Sequence, residues 1–445
     1  MTELRDRVTS LIPGVLEDLT RLVAIPSVSS IPDHHADVRR TAEAVAQLAR
    51  DLGCPDVRIV AQGGQPAVIA RFPAPEGAPT VCLYAHHDVQ PPGERALWTS
   101  DPFTVTERDG RLYARGVVDD KAGIAVHLAA LRAFDGRPPV GVTLFIEGEE
   151  EVGSPSLATI MERHADLLAA DVHVICDSAN WQVGTPAFTT ALRGLADVVV
   201  QVDTLDHALH SGQYGGVAPD ALTTLVRLLA TLHDADGNVA IQGLVSEEPF
   251  ALAYPEDRLR QETGLLDGVR FTGTGPAADR LWGRPSVTVL AIDCTRVADA
   301  SNTLAPTARA KVSMRLAPSQ DADAALAALK QHLLDHAPDG ARVTFGHAEA
   351  AGGSRVTLSG EVARAARAAY SEAFGTEVVE VGQGGSIPLV GAFQKAFPEA
   401  AVLVTGVVDP DSRMHGIDES FDLSDFTSAC IAEAELLRRL GEASR

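Results

Sequence analysis

Residues 144–154 read LFIEGEEEVGS, an apolar run that stops in Glu147, Glu149, Glu150 and Glu151. Carboxylates so close together repel one another, and burying any of them costs free energy unless a cation or hydrogen bonds compensate. The same ending recurs along the chain. CLYA runs into His86, His87 and Asp88, and RLYARGVV precedes Asp119 and Asp120. VHVIC runs into Asp177, and VLVTGVVDPDSRMHG delivers His415. Imidazole and carboxylate, with no thiolate at these places, suit zinc or a similar divalent ion. Two histidines and several carboxylates exceed one tetrahedral shell. A pair of ions sharing a carboxylate, typically about 3.5–4 Å apart, fits better and could clamp both a nucleophile and the oxygen being polarised. Asp88 lies two residues beyond His86, on the same face of an extended strand, where it can orient the imidazole.

Each feature has an ordinary reading when taken alone. A glutamate run is commonly a solvated helix start, and two aspartates before a helix are commonly an N-cap. Their recurrence at successive strand ends is what argues for a shared site.

The elements that would position them follow from apolar spacing. Helical periodicity covers residues 3–23 and 36–53, followed by strands at 57–61, 67–72 and 80–85. A helix from Lys121 to Phe134, the strand VGVTLFI, a helix over 155–168 and a strand at 172–177 complete the run. Nearly all-apolar strands alternating with helices predict a mostly parallel sheet covered on both faces. In such a sheet the carboxyl ends of the strands share one edge, where ligands bind.

The pattern changes near residue 190. GLADVVVQVD alternates as a half-exposed strand does, a helix follows at 217–233, and 234–285 reads as irregular. Strands at 286–293 and 308–316, a helix at 321–336 and a strand at 341–346 give the order β-α-β-β-α-β of a two-layer domain. GHAEAAGGS reads as the link back, and helical patterning resumes at Glu361. The expected organisation is therefore a first domain over 1–189 and 353–445, interrupted by an inserted domain over 190–352.

The chain has 445 residues and a formal net charge of −23, which disfavours nucleic acid and anionic membranes as partners. No stretch is a membrane span or an amino-terminal signal. The five cysteines (Cys54, Cys82, Cys176, Cys294, Cys430) form no metal or disulfide spacing and predict reduced thiols in the cytoplasm. No G-x-S-x-G elbow appears and Cys176 sits inside an apolar strand, so a serine or cysteine hydrolase is disfavoured.

The stretches HHDVQPPG, LYARGVVDDKAG, EGEEEVGS, VICD, LHSGQYGG, GGSIP and MHGIDE occur in this order from residue 86 to 419. Together they resemble the di-zinc peptidases and deacylases of metallopeptidase family 20. That family includes carnosinase, bacterial dipeptidases, glutamate carboxypeptidase, aminoacylase and succinyl-diaminopimelate desuccinylase. The resemblance implies a three-layer α/β/α catalytic domain with an inserted two-layer α+β lid that dimerises. It implies two ions, zinc first with manganese or cobalt as alternatives. His86 and Asp177 would be ligands of one ion, Glu151 and His415 of the other, and Asp119 the bridge. Asp88 would buttress His86, and Glu150 would be the general base of a hydroxide bridging the ions. His87 falls where the family varies. The peptide between Asp119 and Asp120 would be cis. His210 would reach across a homodimer as oxyanion donor, Arg315 would grip the substrate carboxylate, and Asn302, Thr303 and Ser386 would contact substrate. Loss of Glu150 with the ligands retained would mark a binding protein on a dead peptidase fold, and here Glu150 is present.

Aspartate rather than glutamate at position 177 resembles family members that accept a free α-amino group. The expected reaction is thus hydrolysis of dipeptides, the alternative being an N-acyl-amino-acid deacylase with the same site.

Overall fold

The computed structural model describes residues 2–247, 249–385 and 388–443. The chain forms two compact units. One comprises Met1–Thr190, Val356–Glu380 and Pro388–Arg445, the other Ala191–Arg355 and Val381–Ile387.

The first unit is built on a six-stranded sheet. Its spatial order is Asp56–Val60, Ala67–Phe72, Gly141–Glu147, Thr80–His86, Val172–Cys176 and Ala401–Thr405. The last four strands are mutually parallel, whereas Ala67–Phe72 pairs antiparallel with Asp56–Val60 on one side and with Gly141–Glu147 on the other. The sheet is more mixed than the apolar runs suggested. Six residues separate Val60 from Ala67, which permits a hairpin but not the long crossover a parallel pair requires. Side chains alternate across Thr80–His86. Val81 and Leu83 join a core with Val126 and Ala129 of the helix Lys121–Ala133 and with the terminal helices Thr2–Val23 and Leu423–Ala443. On the opposite face Tyr84 meets Phe145, which meets Phe393 of the helix Pro388–Ala396. Burying both faces explains why these strands read as continuous apolar runs.

Two connections matter for the site. The strand Ser420–Asp422 pairs antiparallel with Arg111–Tyr113. That pairing draws MHGIDE alongside RLYARGVVDD, although some 300 residues separate them. The Asp119–Asp120 peptide is cis and leads directly into Lys121–Ala133.

In the second unit an antiparallel sheet has the order Ser286–Asp293, Thr307–Leu316, Gly194–Asp203, Arg342–Ala351. Helices Ala221–Ala230 and Ala322–Asp335 pack on it around Val198, Val200, Leu225, Val312 and Leu329. Two expectations change here. Arg342–Ala351 continues through most of GHAEAAGGS, because a register shift between Phe345 and Ala348 interrupts the two-residue period that would betray a strand. Residues 234–285 are not wholly irregular either. They contain the helix Glu256–Thr263, which buries only Leu259 and so shows no apolar stripe. Arg258–Glu262 and Arg260–Glu256 pairs one turn apart support it, and Gly264 at φ 62° ends it. Among the described residues no helix is long and apolar enough to cross a membrane.

Candidate active site

Three of the parallel strands end at one edge. Thr80–His86 finishes in His86, Gly141–Glu147 is followed by a short turn carrying Glu150 and Glu151, and Val172–Cys176 is followed by Asp177. Asp119 lies just before Lys121–Ala133, and His415 lies in the loop after Ala401–Thr405.

Asp119 is the hub. Its Oδ1 is 3.0 Å from His86 Nε2 and its Oδ2 is 2.9 Å from His415 Nε2. One carboxylate thus offers a separate oxygen to each histidine. Glu151 Oε2 lies 3.3 Å from the same His415 nitrogen. Ligand-capable atoms of His86, Glu150 and Asp177 lie within 4.8 Å of one another, and so do those of His86, Asp119 and Glu151. His86 Nδ1 donates to the Asp88 backbone carbonyl at 3.0 Å, which leaves Nε2 for a ligand. The Asp88 carboxylate also accepts the backbone N–H groups of Glu150 and Glu151, each at 3.2 Å. Asp88 therefore fixes the histidine and the glutamate turn together.

The electrostatics match a missing positive charge. Burial pushes the Asp177 carboxyl well above its ordinary range; His86 opposes this, while Asp120 and Glu150 add to it. Burial likewise raises Glu150 to about 7, against the pull of His86. His415 is raised to about 10 by its hydrogen bonds to Asp119 and Glu151. Glu151 Oε1 is buried with no hydrogen-bond partner. A set of imidazole and carboxylate donors, mutually repelling and with an unsatisfied oxygen, fits a pair of divalent ions.

The remaining glutamates of the opening run have other tasks. Glu149 accepts backbone N–H groups of Gln65 and Ser156, at 2.8 and 2.6 Å, and so staples the turn. Glu147 accepts the Tyr84 hydroxyl at 2.9 Å within the core. His87 Nε2 donates to the Pro66 carbonyl at 2.8 Å, and burial lowers the imidazole to about 4, which keeps it neutral. Cys176 is no nucleophile, since burial drives its thiol well up.

Glu147 carries a prediction. Burial raises its carboxyl from 4.5 to about 8. Between those values the folded chain holds a proton that the unfolded chain releases, so stability falls as pH rises through the window. The shift corresponds to on the order of 5 kcal/mol. Urea unfolding of the metal-free protein across pH 5–8 is expected to show this fall, and Glu147→Gln to make it shallower, the raised Glu150 and Asp177 carboxyls supplying the remainder. An unchanged slope would place the proton on another group.

Three substrate-binding candidates and His210 belong to the inserted unit. His210 pairs across a two-stranded ladder with Thr303, and the Asn302 carbonyl accepts the Ser211 N–H at 2.9 Å. Arg315 stands at the far end of Thr307–Leu316, paired with Ser286 and Leu195. Ser386 lies outside the described residues. Two buried groups escaped the sequence reading. Glu419 and Arg115 both touch the loops that carry the site, and the only sequence signal for them was their place inside or beside quoted motifs.

A paired-histidine, multi-carboxylate centre at the carboxyl edge of parallel strands, buried around His86 and Asp119 and open at His415, is the arrangement of a two-metal hydrolase. Residues 82–439 match the model of peptidase family M20/M25/M40, and the chain belongs to that family. It is a metallopeptidase. A cysteinylglycine-S-conjugate dipeptidase of Corynebacterium striatum is 34% identical over 435 residues, covering 96% of each chain. A human β-Ala-His dipeptidase is 28% identical over 434 residues, covering 88% of this chain and 84% of its own. The crystal structure of human carnosine dipeptidase 1 superposes with a TM-score of 0.80 at 24% identity, covering 99% and 98% of the two chains, and shares the fold.

Proposed function

We propose that this protein hydrolyses dipeptides, with His86, Asp177, Glu151 and His415 holding two divalent ions and Asp119 shared between them. The observation that carries the reading is the Asp119 carboxylate, which turns one oxygen to each histidine. When bound, such ions lower the pKa of a water and polarise the scissile carbonyl. Glu150 is the proton carrier. A carboxylate placed beside the two ions, without being counted among their ligands, can accept a proton from the attacking water and return it to the leaving amine. Asp88 keeps Glu150 in place through its backbone. Zinc suits the mixed imidazole–carboxylate set, with manganese and cobalt as alternatives.

In the inserted unit we assign Arg315 to the substrate carboxylate, His210 to the developing oxyanion, and Asn302 and Thr303 to substrate contacts; Ser386 is assigned to substrate contact as well. Within one chain, eight residue steps of strand run from Thr307, four residues beyond Thr303 of the His210–Thr303 ladder, to Arg315. At ~3.3 Å per residue that is about 26 Å, against about 7 Å for an extended dipeptide. A separation of that order favours the two groups coming from different chains, which supports a homodimer. The edge strand Ser286–Asp293 exposes Val289, Leu290 and Ile292 for such an interface. Five unpaired cysteines, four of them buried, support a cytoplasmic setting.

Asp177 and the dipeptidase relatives favour substrates with a free amino group over N-acyl amino acids. Purified enzyme loaded with zinc, manganese or cobalt is expected to cleave members of a dipeptide panel. Turnover of only acetylated or succinylated amino acids would replace this reading with the deacylase.

A further inference from the structure

Asp119 and His415 sit on loops remote in sequence, and a buried Glu419–Arg115 ion pair ties those loops together. Glu419 is fully buried. Its Oε1 accepts the backbone N–H groups of Val118 at 3.1 Å and Asp119 at 3.2 Å. Its Oε2 accepts the Gly116 N–H at 3.1 Å and the guanidinium of Arg115. Arg115 is itself buried, and its second terminal nitrogen donates to the carbonyls of His415 and Gly416, each at 3.0 Å. The turn it grips needs holding. Arg413, His415 and Asp418 lie at φ 51°, 62° and 57°, a left-handed region that side chains other than glycine's occupy only where neighbours fix them.

A carboxylate that accepts three backbone N–H groups and a guanidinium is at its acceptor limit, so neither loop can shift without breaking a bond. Simple stapling of the fold has another source nearby. Asp418 accepts the Thr99 N–H at 3.0 Å, and Ser420–Asp422 pairs with Arg111–Tyr113. The Glu419–Arg115 couple is aimed instead at the two positions that carry Asp119 and His415.

We propose that Glu419 and Arg115 are positioning residues that set the separation of Asp119 and His415, and thereby the affinity for the ion those two ligands share. This rests on the two-metal reading of the site. Glu419→Gln keeps the shape but turns an amide donor toward the Gly116 N–H and Arg115. Arg115→Lys keeps the charge beside Glu419 but cannot reach Glu419 and both carbonyls at once. The test is cobalt binding to the full-length metal-free protein, read by chelator competition and by visible absorption, with thermal unfolding in parallel.

Wild type is expected to take up two cobalt ions per chain. Glu419→Gln is expected to bind one of them about 10–100-fold more weakly, with a changed absorption band. Arg115→Lys is expected to shift both readouts in the same direction by less. Wild-type affinity and spectrum in both variants would overturn the proposal, whatever their thermal midpoints, since a purely structural couple would move only the midpoint. Should Glu419→Gln not fold, Arg115→Lys decides by the same criterion. Fewer than two ions on the wild type would instead sink the two-metal reading, and the positioning role with it.

Discussion

Glu150→Ala is expected to keep both metal ions and to lower kcat by about 10²–10⁴-fold, the usual contribution of a positioned acid–base group. The geometry makes this a sharp test, because Glu150 stands within ligand distance of His86 and Asp177 and could itself be read as a ligand. Two facts favour the base. In the metal-free protein burial raises its carboxyl, which favours its taking a proton. His86, Asp177, Asp119, Glu151 and His415 already supply donors for two ions, with Asp119 counted toward each. The backbone N–H of Glu150 that Asp88 holds survives the substitution, so the turn stays in place. Glu150→Gln, nearly isosteric and unable to take the proton, is expected to match the alanine variant. Metal-to-protein ratio measured beside kcat decides the matter. Loss of metal in step with activity would make Glu150 a ligand and leave the base unassigned.

Much of this centre was legible because strand ends announce themselves. Apolar runs that stop in His86, Glu147 and Asp177 locate the edge of a buried sheet without any structure. Residue type alone did not give the function of each carboxylate: the family resemblance implied roles for Glu150 and Glu151, and Glu147 and Glu149 had none. Glu147, Glu149, Glu150 and Glu151 are chemically alike, and only three-dimensional partners separate them. One meets a tyrosine hydroxyl, one two backbone amides, and the last two face the histidines. The strand ends at Glu147 and beyond it the chain turns, so strand alternation cannot assign faces to the later glutamates. Glu419 was invisible for a related reason. It acts through backbone N–H groups of residues some 300 positions away, and a backbone partner leaves no mark on residue type. In the inserted unit the misses were the helix Glu256–Thr263 and the end of the strand Arg342–Ala351. In both, the apolar period is absent or broken.

Glu151→Ala is expected to do what Glu150→Ala does not, leaving one ion per chain and cutting turnover by about 10³-fold or more. Glu151 faces His415 with one oxygen, which also takes the Gln90 amide at 2.8 Å, and its other oxygen is buried without a partner. Removing it leaves His415 and Asp119 as the donors around the second position. In the metal-free protein the variant is expected to change stability by no more than about 1 kcal/mol. It loses its bonds to His415 and Gln90, and gains relief from the charge that pushes Glu150 up and from the buried oxygen that has no partner, so losses and gains oppose one another. The difference emerges on adding metal. An ion present at a thousand times its dissociation constant stabilises the fold by about 4 kcal/mol, so wild type should gain markedly in thermal midpoint and the variant less. Chelation of the wild type is expected to abolish hydrolysis, and re-addition of zinc, manganese or cobalt to restore it. Hydrolysis that survives thorough chelation would remove the metals from the chemistry. Equal metal content and equal metal-induced stabilisation in the Glu150 and Glu151 variants would erase the distinction between ligand and base, because the two residues are adjacent, share the Asp88 anchor, and differ only in what their side chains face.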